Sequence, residues 1–145
     1  MPKAWLSKSA ATLKSQIDAA FQDRDRASDG WLGDAKHQSR KSDHNPDSTG
    51  CVRAIDVDAD LNGRGVKPDL MPYFADQLRI YAKNDKRARI TYLIFNGRIA
   101  SKRFGWRWRK YSGINPHKHH LHISFAETAD LDTTPFAISL LGENK

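Results

Sequence analysis

The six histidines of this 145-residue chain lie in two short windows, and this distribution is the strongest constraint on its fold. The first window holds His37 and His44, and the second holds His117, His119, His120 and His122. A fold that uses these side chains together must therefore bring two distant parts of the chain into contact. Neutral imidazole and carboxylate are ligands of catalytic zinc, which keeps one coordination position open for water. The clustering predicts a metal site.

The segment after the first window predicts a strand that carries carboxylates. Residues 51–58 read CVRAIDVD. Alternation along a strand places Ile55 and Val57 on one face and Asp56 and Asp58 on the other. The apolar face is expected to enter the core, which leaves the carboxylates facing a cleft.

The second histidine window predicts another strand, with the sequence HHLHISF. His120 and His122 are two residues apart, so their imidazoles share a face of that strand. His119 is expected to face away from them. His117 lies just before the strand and is expected to fold back over the site.

Together these segments predict a site with two histidines, one carboxylate and an open position. The expected ligands are Asp56 and His122 from the two strands and His44 from the loop SDHNP. Asp58 is expected to orient one of the ligands through a hydrogen bond. A lone histidine or aspartate is more often structural than metal-binding, but the joint clustering favours the metal.

The remaining pattern predicts two helices and a hairpin. Apolar residues at helical spacing indicate an amphipathic helix over 8–21, and a second helix is expected over 68–83, with Pro68 in its first turn. Ile90–Phe95 and Arg98–Ser101 flank an Asn-Gly pair, which is the strongest short signal for a two-residue hairpin turn.

Two further groups are candidates for substrate contact. In the segment RFGWRWRKY, residues 106–109 are expected to line a groove for an anionic, extended peptide. Alternation places Trp106 and Trp108 on one face and Arg107 and Arg109 on the other; the alternative is a half-buried strand with at least one tryptophan in the core. Arg40 lies four residues before His44. Its guanidinium is a candidate catalytic group that clamps a substrate carboxylate or a developing oxyanion, and the alternative is a solvated loop charge.

Composition is typical of one globular domain, residues 1–145, expected to be a monomer. Hydrophobic residues make up 39% of the chain, and the single cysteine, Cys51, excludes an internal disulfide. The net charge of +7 favours an anionic partner such as nucleic acid, anionic lipid or an anionic wall polymer, although it also serves solubility.

The chain carries no segment that predicts membrane insertion or export. No apolar run approaches the roughly 18 residues that span a bilayer. The N-terminal MPKAWLSKSAATLK lacks the apolar stretch of a signal peptide. We therefore expect synthesis in the cytoplasm, with release by another agent if the protein acts outside the membrane.

Several of these residues resemble a known motif. The set consists of Ser42, His44, Gly50, the run Ala54-Ile55-Asp56, and then His117, His120 and His122. It resembles the LAS group of zinc peptidases, which includes D-Ala-D-Ala carboxypeptidases, L-Ala-D-Glu endopeptidases and murein endopeptidase. The HxxHxH spacing is most similar to the penicillin-insensitive murein endopeptidase branch. Over most of residues 4–125 the chain looks like the peptidase module of actinobacteriophage endolysins.

The resemblance implies a fold, an activity and residue roles. The fold is α+β and Hedgehog/DD-peptidase-like, with a central antiparallel sheet, helices packed on one side and a zinc site in a surface cleft. The zinc ligands are His44, Asp56 and His122. His120 is the implied general base, and His117 assists it or holds the tetrahedral oxyanion. The implied substrate is bacterial peptidoglycan, cut in the host after the enzyme leaves the cytoplasm where it is made.

The chain departs from the family pattern in two places. Eleven residues, 45–55, separate His44 from Asp56, whereas the family spaces these positions more closely, which keeps His37 open as an alternative to His44. No acid lies just upstream of His122, where many relatives carry one, and histidines occupy that region instead.

Two other functions compete with the peptidase. Clustered His and Asp in a basic chain also fit a metal-dependent nuclease, although paired HLH and IDVD strands are not the ββα unit of HNH nucleases, so nucleic acid is not the expected partner. A non-catalytic wall-binding module is the third hypothesis, and an open coordination position beside His120 disfavours it.

Overall fold

The computed structural model describes residues 3–31, 42–113 and 117–142. This part of the chain forms two helices and a mostly antiparallel sheet, which confirms the α+β prediction. The helices are α1 (Lys8–Ala20) and α2 (Met71–Asn84). The strands are β1 (Trp5–Leu6), β2 (Cys51–Val52), β3 (Ala54–Asp58), β4 (Ile90–Phe95), β5 (Arg98–Ser101), β6 (Arg109–Lys110) and β7 (His120–Phe125). None of the described helices is long and apolar enough to cross a membrane.

The main sheet has five strands in the order β3-β7-β4-β5-β6, and every neighbouring pair is antiparallel. A separate parallel pair joins β1 to β2. The single strand predicted over 51–58 is therefore two strands, because Val52 pairs with Leu6 whereas Ala54 pairs with Ser124. Arg53 lies between β2 and β3, and its guanidinium donates to the Asp130 carboxylate. This contact holds the chain at the point where it stops pairing with β1 and begins to pair with β7.

One face of the main sheet is apolar, and both helices pack into the same core with it. The sheet contributes Ile55, Val57, Leu93, Leu121 and Ile123, and the helices contribute Ala10, Leu13, Ile17, Phe74, Ala75 and Leu78. The alternation predicted for Ile55 and Val57 is thus confirmed. Since side chains alternate across a strand, the opposite face carries the polar residues of β3 and β7.

The hairpin prediction is confirmed at both strands. Asn96 and Gly97 join β4 to β5 with φ angles of 51° and 76°. A two-residue hairpin turn needs positive φ at both positions, which asparagine and glycine adopt at low cost.

Two sequence predictions are wrong in detail. The second helix begins at Met71, so Pro72 and not Pro68 occupies its first turn. The segment 103–111, whose alternation predicted a shared face for Trp106 and Trp108, is not a continuous strand. It begins with a 3-10 turn, Lys102–Phe104, continues through Gly105 in the left-handed region, and has two strand residues, Arg109–Lys110.

The two tryptophans of that segment do not share a groove. Trp106 has φ of 62° and is 5% exposed within the core, where its indole takes part in the packing. Trp108 is half-buried and donates its Nε1–H to Asp76 of α2. Trp106 therefore lies in the core, as the alternative prediction has it, and the two tryptophans do not line one groove.

A buried arginine ties α1 to the loop that follows it. The Arg24 side chain is fully buried and donates to Oδ1 of Asp18 on α1 and to both carboxylate oxygens of Asp29 in the loop. Oδ1 of Asp29 in turn accepts the backbone N–H of Asp58 on β3. Arg24 thus connects the helix, the loop and the edge of the sheet.

We expect Arg24→Ala to lower the free energy of unfolding by about 3–5 kcal/mol, because it removes a fully buried guanidinium from two partly buried carboxylates, those of Asp18 and Asp29. Urea denaturation followed by circular dichroism measures the change. The matched control is Arg26→Ala, since the Arg26 side chain is 46% exposed and lies 3.6 Å from Asp18. Its loss should cost less than about 1 kcal/mol, and equal effects of the two substitutions would contradict the assigned role of Arg24.

Candidate metal centre

The pairing of β3 with β7 brings the two predicted strands of the site together. Asp56 lies directly opposite His122, and Asp58 lies directly opposite His120. Directly opposed residues of an antiparallel pair project from the same face, with Cβ atoms about 5 Å apart. The polar face of the sheet therefore collects these side chains at one edge.

Three of the predicted residues form a tight cluster around the Asp56 carboxylate. Nε2 of His44 lies 3.2 Å from Oδ2 of Asp56, and Nδ1 of His122 lies 3.2 Å from Oδ1. One ligand atom from each residue lies within 4.8 Å of the other two. The structure thus places His44, Asp56 and His122 in a group that could hold a metal ion.

The loop after α1 helps to hold His44, the third member of this cluster, in place. Gly30 exchanges both backbone hydrogen bonds with Asp56, so the loop runs along the free edge of β3. The next carbonyl, that of Trp31, lies 2.9 Å from Nδ1 of His44. Ser42 accepts the backbone N–H of His44 on its hydroxyl oxygen. These contacts fix the His44 ring at the sheet edge.

The contact with Trp31 also determines which of the two ring nitrogens of His44 carries the hydrogen. A carbonyl oxygen only accepts, so Nδ1 of His44 carries the hydrogen. In the neutral imidazole Nε2 then presents its lone pair toward the Asp56 carboxylate. Two acceptors that face each other at 3.2 Å need a cation between them, either a proton or a metal ion.

The charges of the cluster agree with this geometry. Burial would raise the pKa of Asp56, but the hydrogen bonds with His122 and His44 outweigh it and hold the pKa well below its usual range. Burial would lower the pKa of His44, and the Asp56 carboxylate reverses that effect and raises it. Asp56 is therefore ionised and attracts positive charge to this point.

His120 and His117 lie beside the same carboxylate. Nε2 of His120 is 3.6 Å from Oδ1 of Asp56. The ring of His117 is 4.9 Å from that of His120 and 5.5 Å from that of His122, so His117 folds over the site as expected. Its φ of 57° is unusual for a residue with a side chain, and its carbonyl accepts the N–H of Asn96. His119 is exposed, which agrees with its predicted outward direction.

Asp58 does not take the role predicted for it. Its carboxylate accepts the backbone N–H groups of Ser28 and Asp60. It lines a separate cleft of about 340 Å³, together with Asp60 and His119. Asp58 therefore fixes the neighbouring loops, and its hydrogen bonds go to backbone groups because β3 ends at this residue.

Two side chains at the site have no counterpart among the predicted residues. Ser124 is buried, and its Oγ lies 2.7 Å from Nε2 of His122. Tyr92 stacks on the His122 ring at 5.4 Å and donates its hydroxyl to Asp43 beside His44. Ser124 follows His122 by two residues, so strand alternation signals its position. Tyr92 reaches the site because β4 pairs with β7 in this register, and no local sequence pattern predicts that pairing.

Two predicted residues lie outside the described part of the chain. They are Arg40, the candidate clamp, and His37, the alternative ligand.

Comparison with known proteins adds no relative: no family model matches the chain, and neither the curated proteins nor the solved structures gave a match. The function must therefore be argued from the site itself.

We expect Ser124→Ala to weaken the binding of Zn²⁺ about 10- to 100-fold, because it removes the partner that orients the His122 ring. Isothermal titration calorimetry measures the affinity. The control is Ser9→Ala on α1, which also removes a buried hydroxyl, here bonded to the Asp132 carbonyl. Both substitutions should cost about 1 kcal/mol of stability, and equal Zn²⁺ affinities would contradict a role for Ser124 at the site.

Proposed function

We propose that this chain is a zinc metallopeptidase that hydrolyses peptide bonds in the stem or cross-link peptides of bacterial peptidoglycan. The observation that carries the proposal is the convergence of His44, Asp56 and His122, with His120 beside them on the same face. The motif resemblance to LAS peptidases supports a Hedgehog/DD-peptidase-like fold and a phage endolysin, or its catalytic domain, as the source of the activity. An endopeptidase fits the HxxHxH spacing better than a carboxypeptidase.

The cluster fits zinc by donor type and spacing. Zinc bonds of about 2.0–2.1 Å in tetrahedral geometry place ligand atoms roughly 3.3–3.4 Å apart. The two contacts between imidazole nitrogen and carboxylate oxygen are both 3.2 Å. When bound with an open position, zinc acts as a Lewis acid and lowers the pKa of water to about 7.

We assign the proton transfer in this reaction to His120. Burial lowers its pKa; the charge of Asp56 opposes this, and the neighbouring His122 and His44 add to the lowering. His120 is therefore neutral near pH 7, and Nε2 can accept a proton from the attacking water. The same atom can return that proton to the leaving amine, as a general base that becomes a general acid.

His117 supplies a second polar group above the cluster. Its ring meets that of His120 edge to face at 4.9 Å, and the left-handed backbone turns it toward β7. A ring N–H there can donate to the oxyanion that develops on the scissile carbonyl.

The surface charge suits a polymer of the bacterial wall. The net charge is +7, and five cations lie exposed in one short segment: Lys102, Arg103, Arg107, Arg109 and Lys110. None of these five forms an ion pair with a carboxylate in the described part of the chain. A concentrated basic surface attracts an anionic wall and speeds encounter with it.

Digestion of purified peptidoglycan tests the activity. The zinc-loaded chain should release new amino groups, and mass spectrometry of the muropeptides should identify one cleaved bond. A chelator should abolish release, and added Zn²⁺ should restore it. His120→Ala should keep one bound zinc and lose about 10²–10⁴-fold in turnover, whereas His122→Ala should lose both zinc and turnover.

The zinc content of each variant, measured on the same samples, separates loss of metal from loss of the base. Undiminished release by His122→Ala would contradict the ligand assignment. Intact muropeptides together with cleaved plasmid DNA would replace the peptidase with the nuclease. Binding of the zinc-loaded chain to walls without new amino groups would leave only a wall-binding module.

A further inference from the structure

The Asp56 carboxylate presents its two oxygens to different histidines. Oδ2 lies 3.2 Å from Nε2 of His44. Oδ1 lies 3.2 Å from Nδ1 of His122 and 3.6 Å from Nε2 of His120. His44 and His122 thus face different oxygens of the carboxylate, and Oδ1, which has two lone pairs, faces both His122 and His120.

A second group of ligands surrounds that oxygen. Asp56, His117 and His120 offer one ligand atom each, all within 4.8 Å of one another. The rings of His117 and His120 stand nearly perpendicular, at 86°. The donor set repeats that of the first cluster, with two imidazoles and one carboxylate oxygen, and so suits the same class of divalent cation.

We propose that Asp56 bridges two divalent cations, the second of them held by His117 and His120 and bound more weakly than the first. A carboxylate that bridges two ions holds them about 3.5–4 Å apart, as in two-metal sites. The second ion is weaker because it shares Asp56 with a neighbouring cation, which repels it.

Binding of the second ion inhibits hydrolysis, so that high concentrations of the metal that activates the site also lower its activity. The second ion occupies Nε2 of His120, the atom that accepts the proton in the proposed reaction. The chain with one zinc is then active, and the chain with two is inhibited. This effect on hydrolysis rests on the proposed function, but the binding of the second ion does not.

Metal stoichiometry tests the second site without any measurement of activity. The metal-free chain is dialysed against increasing Zn²⁺, and the bound ion is counted by elemental analysis. The wild type should reach two ions per chain, with the second taken up at higher Zn²⁺ than the first. His117→Asn should stop at one ion while its first affinity stays unchanged. Asparagine tolerates the left-handed backbone of this position, so the loop geometry is kept.

The matched control is His119→Ala, which removes an exposed histidine from the same window. It should still bind two ions. A wild type that saturates at one ion, a His117→Asn variant that binds two, or a His119→Ala variant that binds one would each overturn the second site. His117→Ala provides a second test, with circular dichroism to confirm that it is folded.

Hydrolysis by the wild type, followed over the same Zn²⁺ range, tests the inhibition. Activity should fall by about 100-fold or more as the second ion binds, the loss expected when a general base is blocked. Unchanged hydrolysis with two ions bound would overturn the inhibition. Two bound ions without hydrolysis at any Zn²⁺ concentration would contradict the proposed peptidase and leave the second site standing.

Discussion

The contacts of the Asp56 carboxylate with the imidazoles of His122 and His120 depend on one structural constraint, the antiparallel register of β3 and β7. That register sets Asp56 opposite His122 and Asp58 opposite His120. A shift by one residue would turn these side chains into the core and the apolar residues outward. Because Ile55 and Ile123 are fully buried on the other face, the hydrophobic core holds the polar face in place. Packing and site chemistry are thus two consequences of one pairing.

Contacts outside the two strands hold His44, the remaining member of the cluster. The buried Arg24 holds Asp29, and through it the loop that pairs Gly30 with Asp56. The same loop presents the Trp31 carbonyl that orients the His44 ring. An ionic anchor outside the cluster therefore supports the loop whose carbonyl orients the His44 ring. Such support is what a metal site needs, since ligands must be held to within a fraction of an ångström.

Regular patterns made much of this structure predictable. Alternation in CVRAIDVD and HLHISF predicted which faces Asp56 and His122 occupy, and Asn96-Gly97 predicted the hairpin. The long-range contacts were not predictable in this way. Tyr92 reaches His122 only through the β4–β7 register, and Trp31 reaches His44 through a backbone carbonyl that has no side-chain signal. The segment around Trp106 misled because its alternation looks like a strand, whereas left-handed residues at Gly105 and Trp106 turn the chain into the core.

The central proposal is that a zinc ion binds between the two strands and the His44 loop. The most direct measurement is anomalous diffraction at the zinc edge from crystals grown with one equivalent of Zn²⁺. The account predicts a single strong peak about 2 Å from Nε2 of His44, a carboxylate oxygen of Asp56 and Nδ1 of His122. A strong peak elsewhere, with these three side chains bonded only to one another, would contradict it.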